Sequence, residues 1–110
     1  MKKYLAIYYA PSEAMAEFVN ATPEQKLEGL KGWFAWKDKL NSQLVDFGAP
    51  LMPGNTRSAQ TEWSQSSSEV TGYSIVQAKD LDSAKNLFDG HVHLHSHPKA
   101  SIEVHEFAPM

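Results

Sequence analysis

Apolar residues occupy both parities of the first predicted element. In KYLAIYYA, Leu5, Ile7 and Tyr9 fall on one parity, and Tyr4, Ala6 and Tyr8 on the other. Successive strand side chains point to opposite faces, so this pattern predicts a central strand covered on both sides. Pro11 ends it, because proline offers no donor to a ladder. SEAMAEFV predicts a helical turn or two. The period then lengthens. In ATPEQKLEGLKGWFAWKDKLNSQLVDFG, the residues Leu27, Leu30, Trp33, Phe34, Leu40, Leu44 and Phe47 share a broad face at helical spacing. Thr22 is the expected N-cap, Pro23 takes the first helical position, and Gln25 completes a capping box. Gly48 is the expected stop. Gly29 and Gly32 each cost up to about 1 kcal/mol relative to alanine, which predicts close packing on a neighbour or slack near the helix start.

Residues 50–69 are polar and predict a loop, then one or two short exposed strands joined as a hairpin. VTGYSIVQA predicts a strand, with Tyr73 and Ile75 on one face and Val76 and Ala78 on the other. DLDSAKNLFDG predicts a second helix, capped by Asp80, packed through Ala84, Leu87 and Phe88, and stopped by Gly90. ASIEVHEF predicts the last strand, with Ile102 and Val104 on one face and Glu103, His105 and Phe107 on the other. The order strand, helix, strand, strand, helix, strand is that of a ferredoxin-like α+β fold, an antiparallel sheet with helices on one face. The uncovered face carries aromatic residues. A second copy is the expected cover, giving a homodimer in which two sheets face each other.

The 110 residues suit one domain, 1–110. With 42% hydrophobic and 21% charged residues, disorder is excluded. A chain of this size leaves little volume for a deep internal cavity, so a site is expected at an edge, in a cleft or between subunits. The net charge of -3 and the absence of a basic run argue against nucleic acid as a partner. No apolar run approaches the roughly 20 residues of a membrane helix. The apolar part of MKKYLAIYYA reads as a strand and not as a signal peptide. No membrane partner and a cytoplasmic location are therefore expected. The lack of cysteine excludes disulfides, thiolate metal sites and cysteine nucleophiles.

Three stretches, taken in order, resemble one family. WFAWKDKLNSQLVDFGAPL resembles an aromatic-rich helix ending in a short VD-x-G and a proline, TGYSIVQAKDLDSAKNLFDG a strand followed by D-L-D-x-A, and HPKASIEVHEF a closing SIEV-x-E strand. Together they resemble the YCII-related, or DGPF-domain, family. The DGPF tetrapeptide is absent; SSSEVTGY stands where it would precede the strand. The resemblance implies a dimeric α/β-barrel of ferredoxin-like subunits. It also implies acid/base chemistry by a His and Asp pair in a cleft, in which only Asp46 of VDFG carries over; the first strand has Tyr8 and Tyr9 and no histidine.

The densest candidate chemistry lies in GHVHLHSHP, with His91, His93, His95 and His97 at alternate positions. In an extended segment they would project from one face about 7 Å apart. His105 or Glu103 could then complete a metal site, the set being His91, His93, His95 and His105. Because the segment lies between a helix stop and Pro98, it reads instead as a connector, where alternation fixes no geometry. There His91 and His93 are the candidate catalytic residues, since histidine is the usual general base and crowded imidazoles lower one another's pKa. Asp46, near the C-terminus of the expected helix, opposes the helix dipole. It is either the partner acid or a structural group, pairing with Lys39 or capping a backbone amide. Trp33 and Trp36 are most simply core, with Trp36, toward the edge of the apolar face, the alternative candidate to line a cleft with Asp46. Arg57, the single arginine, could hold an anion bidentately, and His97 is a further ligand-binding candidate. No GxGxxG, Walker or GxSxG motif is present, and no cofactor is expected. The leading reading is proton transfer on a small molecule. The alternatives are a non-catalytic dimeric binding module and, less favoured, a metal-binding protein.

Overall fold

The computed structural model describes all residues, 1–110. The alternation at the start of the chain builds β1 (Lys2–Tyr9), the centre of the sheet. Tyr4, Ala6 and Tyr8 are sealed beneath the helices, while Leu5, Ile7 and Tyr9 on the other face are half-buried. Next come α1 (Ser12–Asn20), α2 (Pro23–Leu40), β2 (Leu44–Pro50), the two-residue strands β3 (Asn55–Thr56) and β4 (Ser64–Gln65), β5 (Val70–Ala78), α3 (Leu81–Asn86) and β6 (Ser101–Glu106). The sheet order is β2-β5-β1-β6, with every neighbouring pair antiparallel. This is the ferredoxin-like α+β arrangement, and β3 and β4 form the expected hairpin apart from it.

Local signals account for most boundaries. Thr22 Oγ1 accepts from Gln25 N and the Gln25 side chain accepts from Thr22 N, so the capping box forms in full. Asp80 accepts from Ser83 N and starts α3. One expectation is overturned. The helix does not run to Gly48; it ends at Leu40, where Asn41 takes a positive φ of 51°. A single 3₁₀ turn, Asn41–Gln43, follows, and Leu44 to Pro50 are strand. Asn and Ser compete for backbone hydrogen bonds and weaken the helix here. Leu44 and Phe47 continued the helical spacing by coincidence. Asp46 therefore lies on an edge strand, with no helix dipole acting on it.

The core fills the space between sheet and helices. Tyr4, Ala6, Tyr8, Val76 and Ala78 from the sheet meet Trp36 and Leu40 of α2, with Ala84 and Phe88 behind. Trp36 donates from Nε1 to the Leu87 carbonyl at 2.8 Å, so its one polar atom is satisfied inside this core. Ile102 and Val104 of β6 pack against it, as their parity predicts. Gly32 permits a close approach of α2 to the histidine segment: a Cβ there would stand 2.6 Å from Val92 Cγ2. No helix is long and apolar enough to cross a membrane.

Candidate functional site

The histidine segment is a 3₁₀ turn, Val92–His95, wedged between α2 and the ends of β1 and β6. The turn sends the first two histidines inward and leaves His95 exposed. Both inward residues are buried, His91 to 2% exposure and His93 to 6%, yet their surroundings differ. His91 sits in an aromatic box. Its ring lies 4.5 Å from Trp36, 4.6 Å from Trp33 and 5.4 Å from Tyr8, centroid to centroid. Its Nδ1 accepts the backbone N–H of His93 at 3.0 Å. The proton must then reside on Nε2, which is sealed and unpartnered. Burial, with a smaller contribution from neighbouring His93, pulls the His91 pKa down to about 4.

His93 is held differently. Its Nε2 lies 2.9 Å from the Tyr9 carbonyl and 3.1 Å from the Ser101 carbonyl. Carbonyls only accept, so Nε2 carries the proton and Nδ1 offers a lone pair. Nδ1 has no protein partner, and His91 Nε2 is the only sealed, unpartnered side-chain atom, so His93 Nδ1 keeps an accessible surface. Burial lowers the His93 pKa, partly offset by the two carbonyl contacts, which favour the protonated ring.

His93 lines a cavity of about 410 Å³ between helices and sheet. It is partly open to solvent, so it is a cleft, as expected, and not an enclosed internal cavity. Small residues leave the space: Ala10, Ala14, Gly29, Ala49 and Gly72 all face it. Trp33, Phe18 and Phe47 provide aromatic walls, and Lys26, Gln25 and Glu17 supply polar groups. Tyr8 closes one side. Its hydroxyl donates to Ser74 Oγ at 2.8 Å, which donates to the Phe47 carbonyl at 2.7 Å, and burial pushes its pKa well up.

The other candidates fall elsewhere. Asp46 faces the uncovered side of the sheet. Its register partner is Ile75, its Oδ1 caps the Gly48 amide at 2.8 Å, and its Oδ2 accepts the Tyr73 hydroxyl at 3.2 Å. The expected amide cap is found, but the sheet stands between Asp46 and both inward histidines, so no Asp/His pair forms. Trp36 is core and does not line the cavity; Trp33, one turn earlier, does. Arg57 lies in the hairpin, bonded through Nε to the Thr61 carbonyl and 3.9 Å from Glu62. His97 is outside the cavity, 3.6 Å from Glu13 of α1, with Nδ1 capping the Lys99 amide. The expected metal set does not converge. His91 and His93 turn inward and His95 faces out, while His105 pairs with Glu103 at 2.6 Å on the opposite sheet face. No three His, Asp or Glu side chains are placed to hold one ion. Trp33 and Tyr8 were not anticipated as cavity walls; Gly29 was the only sequence trace of a space beside α2, whereas Gly32 marks close packing on Val92.

The fold and this buried histidine define an α+β protein with an aromatic-walled cleft between helices and sheet. No protein-family model and no curated protein sequence matches the chain. Its fold is similar to that of the 5-chloro-2-hydroxyhydroquinone dehydrochlorinase of Burkholderia phenoliruptrix, solved in complex with 2,5-dihydroxybenzoquinone. The two share 10% sequence identity over 96% of this chain and 93% of that one, with a TM-score of 0.58.

Proposed function

We propose that this chain is a cytoplasmic, YCII-related homodimeric protein that carries out proton transfer on a small, ring-sized molecule bound in its cavity, with His93 Nδ1 as the base. The observation that carries this reading is the fixed tautomer of His93. Two main-chain carbonyls hold Nε2–H, so the unprotonated nitrogen of a cavity-lining ring is left without a protein partner. The lowered pKa keeps the ring neutral near pH 7 and able to accept a proton. When Nδ1 takes that proton, the ring becomes cationic, Nε2–H becomes a stronger donor, and the Tyr9 and Ser101 carbonyls stabilise the charge. Proton abstraction from an acidic C–H or O–H needs no further group. The fold shared with a dehydrochlorinase supports small-molecule chemistry of this general kind.

The test uses 2,5-dihydroxybenzoquinone and chlorinated hydroxyhydroquinones as probes, with His93→Gln as the variant. Glutamine can still donate to the two carbonyls but has no Nδ1. The expected result is unchanged folding and probe binding with turnover of a chlorinated hydroxyhydroquinone reduced by about 10²-fold or more. Imidazole ¹⁵N shifts of His93 that stay fixed at millimolar probe would sink the reading. Binding with no turnover in either protein would leave a non-catalytic binding module.

A further inference from the structure

The hairpin between β2 and β5 has no role in the cavity chemistry. Every residue from Leu51 to Gln65 is exposed. β3 and β4 pair only with each other, and the segment is tied internally by Ser58 to Thr61 and by Ser66 N to the Gly54 carbonyl. It is thus an ordered arm, yet it presents Trp63 at 66% exposure and Met52 at 64%. Tryptophan is on average well buried, so one left this exposed on an ordered projection is suited to an interface.

The surface area indicates what covers it. The chain exposes 7693 Å², against roughly 6,100 Å² for a folded monomer of 12.3 kDa. The excess of about 1,600 Å² falls within the roughly 1,000–2,500 Å² that each subunit of an obligate homodimer buries. The radius of gyration, 15.2 Å, likewise exceeds the roughly 13 Å of a compact domain this long. The arm, exposed along all of residues 51–65, contributes to this excess beside the open sheet face. Its one cation and one anion, Arg57 and Glu62, face each other at 3.9 Å, so it carries no net charge to repel an identical chain.

We infer that residues 51–66 form an arm that embraces a second copy of this chain, with Trp63 as the anchor. The inference rests on the homodimer reading and adds the element that makes the dimer stable. In a two-fold pair the contact occurs twice, each arm reaching the other copy, and tryptophan is the side chain most often found as such an anchor.

The test compares the full chain with Trp63→Ala by sedimentation equilibrium and follows Trp63 by ¹⁹F NMR of 5-fluorotryptophan-labelled protein. The three tryptophan resonances are assigned by loss of one in the variant. The expected result is a dimer whose dissociation constant rises at least tenfold in Trp63→Ala, with a Trp63 resonance protected from a soluble nitroxide. Replacing residues 52–65 by a short turn should weaken the dimer further. An unchanged dissociation constant, or a Trp63 resonance open to the nitroxide within the dimer, overturns the arm and leaves the homodimer standing. A monomer at about 100 μM overturns both.

Discussion

On the helix side of β1 and β5, Tyr4, Ala6, Tyr8, Ser74 and Val76 are at most 2% exposed; the residues between them, Leu5, Ile7, Tyr9, Tyr73 and Ile75, remain half-buried on the other side. The same alternation divides the polar chemistry. Below the helices lie two neutral imidazoles and a Tyr8–Ser74 hydrogen bond, with the Glu106 carboxylate reached only at the sheet's end, by the Tyr4 hydroxyl at 3.2 Å. On the open face lie the Asp46–Tyr73 and Glu103–His105 contacts, with charge beside solvent. One residue of register decides which group joins which chemistry. Asp46 and His93 both looked like parts of one site, yet a sheet separates them.

The largest effect expected to expose this division is on acid stability. His91 is held at about 4 in the fold against 6.5 unfolded. Between these values the unfolded chain binds a proton that the folded chain refuses. Stability is therefore full above about pH 6.5 and falls as pH drops towards 4, by about 3 kcal/mol from His91 alone. Urea denaturation at one protein concentration should show that loss. His91→Asn, whose oxygen can still accept the His93 amide, should flatten most of it, the remaining slope being due to His93. A wild-type curve flat between pH 6.5 and 4 would mean that the helix side is not sealed.

Next in size is Gly32→Ala. Its new methyl would press on the stiff Val92 side chain, one residue before His93, and should cost about 1–3 kcal/mol. Probe affinity in the cavity should fall with it, because the turn carrying His93 must shift. The smallest effect belongs to Asp46→Asn on the other face. The amide oxygen can still accept, so stability should change by less than about 0.5 kcal/mol. Probe binding should not change. The Tyr73 phenol, held above its ordinary pKa by the Asp46 carboxylate, should move down towards 10 in a spectrophotometric titration. A loss of cavity binding in Asp46→Asn would break the separation of faces.

Much of this was legible in the residue pattern. Parity alone assigned β1, β5 and β6 and separated the two faces of each, and short side-chain signals at Thr22–Gln25 and Asp80 set two helix starts. The failures share a cause, since periodicity reports spacing and not direction. Leu40, Leu44 and Phe47 fit a helix equally well whether or not Asn41 breaks it. Trp33 and Trp36 stand on one apolar face, and nothing in their spacing says which meets the core and which the cavity. His91 and His93 were identified as a pair, but only the bend of a 3₁₀ turn seals one and opens the other. The side of the sheet taken by Asp46 depends on the irregular register of β2 against β5.

Gly48 is where that irregularity is concentrated. Its φ is +82°, and a Cβ there would fall 1.7 Å from the Tyr73 carbonyl oxygen. Backbone at that distance cannot move aside as a side chain could, so no other residue type fits without rebuilding the edge of the sheet. In a saturation-mutagenesis screen for folded protein, position 48 should be an almost empty column, two places from a tolerant Asp46. A glycine at this point in a distant sequence would then be a better marker of shared ancestry than any of the histidines.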